Sequence, residues 1–187
     1  MIKKIDVSIS CGVICKSNFY NSHDVLNDFT KFKFSSGVNM LVGDIDSGIW
    51  AVSYILSMYK HLKKMIYDHK SVAVDGKETT FEEITEYCCY LDQTQYPLFS
   101  SKRKSVRKLI EKGLKISHLE KTADEIIELF CLNSERVERP ICCVGNERFR
   151  AMAAVGYAFG KQVFCFPWLS KKCLNITPIT FYGHLKC

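Results

Sequence analysis

At 187 residues the chain is long enough for one domain with a substantial core and too short for two comfortable ones. Its 47% apolar and 25% charged content is that of a folded globular protein and excludes a disordered tail. The net charge of +6 sits in short runs, a balance that keeps a protein soluble and is also compatible with phosphate-rich partners or a membrane surface.

No stretch approaches the about 18 to 20 apolar residues that a membrane helix needs. The opening, Met1-Ile2-Lys3-Lys4-Ile5-Asp6, turns polar at once and has neither the apolar region nor the small-residue cleavage site of a secretory leader. The expectation is a cytoplasmic protein that does not itself span a membrane. Ten cysteines occur as the adjacent pairs Cys88-Cys89 and Cys142-Cys143 and as scattered single residues, with no Cys-x-x-Cys and no His at zinc-ligand spacing. They are read as buried free thiols, with no metal site.

In chain order, the first 40 residues read as short strands and turns at Ile5 to Ser10, Gly12 to Cys15 and Phe32 to Phe34. Val38-Asn39-Met40-Leu41-Val42 is a compact apolar run with the look of a buried strand. It leads into a loop bounded by Gly43 and Gly48. Beyond it Val52, Ile55, Leu56 and Tyr59 fall on one face of a helix. Asp75-Gly76 marks a turn between Val72-Ala73-Val74 and a helical stretch from Phe81 to Cys88. From Ser105 the spacing of Val106, Leu109, Ile110 and Leu114 predicts an amphipathic helix.

Thr122-x-x-Glu125 is a capping box opening the next helix, which carries Ile126, Ile127 and Phe130 inward. Pro140 breaks this helical region. A further helix is predicted from about Asn146 to Phe159, ending near Gly160, and Gln162 to Phe166 reads as a buried strand. An α/β sheet with a helical subdomain from about 100 to 140 is the simplest architecture for this order, over one domain spanning 1–187.

The loop Gly43-Asp44-Ile45-Asp46-Ser47-Gly48-Ile49-Trp50 has the glycine spacing of the P-loop, G-x-x-x-x-G-K-[ST]. In that motif glycines fold the backbone into a nest of amides that attracts phosphate, while the Lys reaches the terminal phosphates and the hydroxyl binds magnesium. Here Ile49 and Trp50 hold those last two places, and Asp44 and Asp46 add negative charge beside them. Taken alone, the two glycines fit an ordinary strand-to-helix turn better than a phosphate loop.

Further segments carry a resemblance. Tyr90-Leu91-Asp92-Gln93 with Pro97-Leu98-Phe99, Ser105-Val106-Arg107 through Leu114, and Val144-Gly145-Asn146-Glu147-Arg148-Phe149-Arg150 follow in that order. Thirteen residues after Arg150 comes Val163-Phe164-Cys165-Phe166-Pro167-Trp168. Over roughly residues 1–170 the chain resembles the ATP-binding-cassette (ABC) transporter ATPase family. The resemblance implies a P-loop NTPase-like core sheet, an N-terminal β subdomain and a helical insertion. It makes Gln93 the Q-loop glutamine, which reaches metal and attacking water, and Val144 to Arg150 the signature L-S-G-G-E-x-x-R. Gly145, Glu147 and Arg150 match that signature, whereas Val144 and Asn146 replace its Ser and second Gly, so a phosphate contact is missing. It also sets Pro167 and Trp168 where the Walker B Asp and Glu belong.

By the same resemblance Tyr20 stands near the place of an aromatic that stacks on adenine, with Phe19 as competitor and plain packing an equal explanation for either. The phosphate-loop residues would be Gly43, Asp46, Ser47, Gly48, Ile49 and Trp50. The tail 171–187 has no assigned role, and the chain ends before a switch-histidine strand, as a truncation or frameshift would leave it. The basic run Lys102-Arg103-Lys104 with Arg107 and Lys108 is a solvated helix start or a surface for an acidic partner or lipid headgroups. No motif for nucleic acid is present.

The implied function is that of an ABC ATP-binding domain impaired in catalysis, with weak or absent binding of ATP and magnesium. It would act beside another ABC ATPase subunit, a membrane permease, or both, at the membrane periphery. An active ATPase with atypical motifs and a non-functional remnant are the alternatives.

Overall fold

The computed structural model describes residues 2–9, 30–39, 41, 49–58, 70–91 and 104–166. The expected strand over Gly12 to Cys15 and the inward-facing Tyr59 lie outside these residues. The chain forms two compact units, Met1–Cys88 and Cys89–Cys187.

The first unit contains a four-stranded sheet in the order β2-β1-β3-β4, with β1 at Lys4–Ile9, β2 at Thr30–Ser35, β3 at Lys70–Val74 and β4 at Lys77–Thr79. Every pairing in it is antiparallel, and Val7 stands opposite both Phe32 and Val72. The period-two pattern explains why β1 is central. Ile5, Val7 and Ile9 are buried on one face, and the intervening Asp6 and Ser8 are only partly covered. Edge strand β2 alternates exposed Lys31, Lys33 and Ser35 with Phe32 and Phe34, whose rings stack at 6.2 Å on the opposite face. Charges along an edge of this kind discourage further strand pairing.

The Asp75-Gly76 turn closes the β3–β4 hairpin, with φ of 51° and 81° at the two residues. Both sit in the left-handed region that a two-residue hairpin turn requires. The Asp75 carboxylate also accepts the amides of Lys3 at 3.0 Å and Lys4 at 2.8 Å, fastening the hairpin to the start of β1.

Helix α1, Ile49–Met58, buries Val52, Ile55 and Leu56, the face its spacing predicts. It packs against α2, Phe81–Tyr87, which buries Phe81, Ile84 and Thr85. A second capping box starts α2: Thr80 Oγ1 accepts the Glu83 amide at 3.1 Å, and the Glu83 carboxylate accepts the Thr80 amide at 3.0 Å. One expectation fails here. Val38, Asn39 and Leu41 form no strand, and Val38 is 64% exposed. The Asn39 side chain instead turns back on the end of β2, donating to the Ser35 carbonyl at 2.7 Å and accepting the Ser35 amide at 3.2 Å. A side chain that satisfies the backbone locally competes with a strand ladder.

The second unit is organised around α5, Arg148–Ala158, whose residues Ala151 to Gly156 and Ala158 are all buried. A helix covered on every side needs small residues where its neighbours come close. Gly113 of α3 (Val106–Ser117) is one such place, because a Cβ there would lie 2.7 Å from Phe159 Cδ2 and 2.8 Å from the Ala158 carbonyl carbon. Gly156 is another, with Cys89 Sγ 2.9 Å and Phe164 Cε1 3.1 Å from the same imaginary atom. Cys89 and Phe164 belong to β5, Cys88–Tyr90, and β6, Val163–Cys165, which pair as a two-stranded sheet. The Leu91 amide donates to the Cys165 carbonyl at 2.9 Å. Strand β6 is shorter and less covered than expected, with only Cys165 buried.

Helix α4, Ala123–Leu129, starts at the predicted Thr122–Glu125 capping box and buries Ile126 and Ile127. Phe130 is half-buried against Tyr157 at 5.7 Å. Arg107 ties α3 to two other segments, donating to Asp124 at 2.7 Å and Glu138 at 2.6 Å. It is therefore spent inside the unit, while Lys104 and Lys108 of the predicted basic run remain exposed. Arginine 103 and Lys102 lie outside the described residues.

Candidate functional site

Of the residues the resemblance nominates, Tyr20, Gly43, Asp46, Ser47, Gly48 and Gln93 lie outside the described residues, as do Pro167 and Trp168. Ile49 and Trp50 are the first two residues of α1. Val144, Gly145, Asn146 and Glu147 are described, and they form one continuous turn.

That turn is built by short-range constraints. Pro140 is extended and is bridged to Ser105, and the Val106 amide donates to the Arg139 carbonyl at 3.0 Å, which brings the segment to the start of α3. A single 3-10 turn, Ile141–Cys143, follows and buries Ile141. Gly145 adopts φ of +64° with open space around its Cβ position. It is the left-handed backbone, and not crowding, that suits glycine there. A second 3-10 turn, Gly145–Glu147, then runs into α5.

Within this turn Val144 is 2% exposed. The position that resembles the signature serine is thus an apolar core position with no hydroxyl to offer a phosphate. Asn146 lies on the surface, and its Oδ1 accepts from Arg136 Nη1 at 2.7 Å.

Glu147 is buried, with its carboxylate fully employed inside the unit. Oε2 accepts the Asn133 amide at 3.0 Å, Oε1 accepts Arg136 Nη1 at 3.2 Å, and Arg150 Nη2 stands 3.8 Å from Oε1. Asn133 in turn starts the 3-10 turn Arg136–Glu138 by accepting the amides of Glu135 at 3.0 Å and Arg136 at 3.1 Å through Oδ1. A desolvated carboxylate needs such charge-assisted partners, and here one amide and two guanidinium groups provide them. Phe149 packs its ring on Phe166 at 5.9 Å and carries Arg148 over its face at 5.2 Å.

The sequence reading missed Asn133 and Arg136. Asn133-Ser134-Glu135-Arg136 carries a local turn signal, but nothing in it names a carboxylate fourteen residues ahead. The cysteine expectation also needs correcting. Cys88, Cys89 and Cys165 are buried, whereas Cys142 and Cys143 are exposed and Cys131 is half-buried. The 3-10 turn places only Ile141 in the core and leaves the next two side chains outside it.

No protein-family profile and no curated protein matches the sequence. Solved structures do match the fold. CbiO1 from Clostridium perfringens, described as part of the ABC transporter complex CbiONQ, superposes with a TM-score of 0.56 at 12% identity. The match covers 96% of this chain and 74% of CbiO1. The chain has the fold of an ABC transporter ATPase domain. A bacterial Atm1-family ABC exporter, solved with ATP bound, matches at a TM-score of 0.53 and 11% identity over 98% of this chain. The chain spans only 34% of that exporter's length. Among the described residues no helix is long and apolar enough to cross a membrane.

Proposed function

We propose that this chain is a catalytically impaired ABC ATPase-like domain, acting through binding as the nucleotide-binding or pseudo-ATPase partner of another ABC ATPase subunit, a membrane permease, or both. The observation that carries this reading is Val144. It opens a signature-like turn at the head of a buried helix in an ABC fold, yet its side chain is in the core and has no hydroxyl. This turn therefore fits a phosphate poorly.

Losses elsewhere support the same reading. Ile49 and Trp50 occupy the places of the phosphate-loop Lys and Ser/Thr, and a charge-assisted contact of that kind is worth about 1.5–3 kcal/mol. Pro167 and Trp168 stand in the Walker B positions of the Asp and Glu that hold metal and polarise water. Scaffold and spacing are kept while the electrostatic groups of catalysis are missing, which suits a retained shape better than a retained reaction. Gly43, Asp46, Ser47, Gly48 and Gln93 are the remaining positions assigned to nucleotide, with Tyr20 for adenine, and affinity for ATP and magnesium is expected to be weak or absent.

The test is a melting experiment with Mg-ATP alongside an ATPase assay. A ligand that binds the native state alone raises the midpoint by mass action. The reading expects at most a small shift at millimolar nucleotide and no turnover, with the shift restored in the double variant Ile49→Lys/Trp50→Thr. Turnover that disappears in Gln93→Ala would overturn the impairment. A folded double variant that ignores nucleotide would overturn the loop assignment.

A further inference from the structure

The adjacent thiols of Cys142 and Cys143 are free, solvent-exposed, and 3.6 Å apart at sulfur. Neighbouring side chains on a helical turn usually diverge, so two sulfurs held this close need a reason. The 3-10 turn Ile141–Cys143 provides one: it is anchored on the inner side by Ile141 and closed by the Cys143 amide donating to the Pro140 carbonyl at 2.8 Å. Val144 pins its other end in the core. The two thiols are therefore presented together from a fixed backbone.

A disulfide is a poor use of this geometry. Consecutive Cα atoms across a trans peptide are about 3.8 Å apart, below the range of about 4.4–6.8 Å in which disulfides form without strain. A shared soft centre is a better one. With bonds to sulfur of about 2.3 Å, a pyramidal or tetrahedral centre spaces two thiolates about 3.5 to 3.8 Å apart, whereas a linear two-coordinate one needs about 4.6 Å. The observed separation falls in the first range. Among the described residues no group of three or more His, Cys, Asp or Glu is placed to hold a metal ion. The pair thus suits a centre that takes only two ligands from the protein.

We propose that Cys142 and Cys143 form a two-thiol chelate for a trivalent, thiophilic centre of the monosubstituted arsenical type. The step balances without any redox partner. Two arsenic–sulfur bonds form as the arsenic–oxygen double bond of R–As=O is lost, and the two thiol protons leave with that oxygen as water. Arsenic stays trivalent. The site lies one residue before Val144, and it stands independently of any nucleotide role.

The test uses the full chain, reduced with a phosphine, and phenylarsine oxide as probe. Intact mass should show one phenylarsenic per protein, located on the tryptic peptide of residues 137–148. An excess of a dithiol should remove it and an equal excess of a monothiol should not. Cys142→Ser and Cys143→Ser, both at exposed positions and expected to melt like the parent, should each weaken binding about 100-fold, the loss expected when a second linked contact is removed. Arsenic found on other cysteines, affinity unchanged in either single variant, or recovery of the pair as a disulfide once reductant is withdrawn would overturn the proposal.

Discussion

The carboxylate of Glu147 accepts the main-chain amide of Asn133 at 3.0 Å and, through its other oxygen, a guanidinium N–H of Arg136 at 3.2 Å. With its side chain only 10% exposed, this glutamate acts as a structural bolt between two 3-10 turns. Glu147→Ala strands the Asn133 amide and takes one acceptor from Arg136, which keeps Asn146, so a loss of about 1–3 kcal/mol is expected. Glu147→Gln keeps an acceptor for Asn133 and should lose less than half of that. Urea unfolding with an unchanged slope reads both values. Equal, small effects for the two variants would mean that the bolt holds nothing.

This relationship also marks where reading the sequence stops. The Thr122–Glu125 cap, the Asp75-Gly76 turn and the buried faces Val52/Ile55/Leu56 and Val106/Leu109/Ile110 depend on spacings of two to four residues, and the structure has them where the spacing puts them. The Thr80–Glu83 cap has the same signature and was equally legible. Apolar character alone misled at Val38, because a compact run of five residues carries no period that separates a core strand from an exposed turn. Cys142 and Cys143 misled for a related reason: a 3-10 turn buries one residue in three, and adjacency says nothing about which. At the candidate site, residue type alone allowed the cost of the substitutions at Ile49 and Val144 to be argued. The turning of Val144 into the core and the use of Glu147 by Asn133 arise from contacts across 133–147, which no local pattern encodes.

Gly113 is predicted to be the least replaceable residue of α3. Alanine would place its Cβ 2.8 Å from the Ala158 carbonyl carbon, which is main chain and moves only if α3 and α5 separate. The helix-propensity gain of about 1 kcal/mol for Gly to Ala opposes this, and overpacking of a close contact costs about 1–3 kcal/mol. A net destabilisation is expected for Gly113→Ala. Gly156→Ala meets the side chains of Cys89 and Phe164 first and should cost less. Thermal melts of the two variants check the order. A stabilised Gly113→Ala would show that α3 and α5 are not packed through this residue.

The capping boxes make part of the stability depend on acid pH, with a definite sign. At Thr122 the Glu125 carboxylate accepts the main-chain amide at 2.6 Å and the hydroxyl at 2.9 Å. These hydrogen bonds, the amide first, hold its pKa below the ordinary 4.5. Glu83 is lowered likewise, first by the Thr79 hydroxyl and then by the Thr80 amide. A carboxyl whose folded pKa lies below its unfolded one binds fewer protons when folded. Its contribution is therefore complete above about pH 4.5 and is lost as pH falls through the lowered value. Thr122→Ala removes an N-cap worth about 1 kcal/mol at neutral pH. It also takes the hydroxyl from Glu125 while leaving the main-chain amide in place, so part of the lowering is lost and the gap between variant and parent should narrow as pH is taken from about 7 to about 3.5. Other carboxylates titrate equally in both proteins and cancel from the difference. Denaturant midpoints at the two pH values supply it. A gap that stays constant would mean that the threonine caps the helix without coupling to the charge on Glu125.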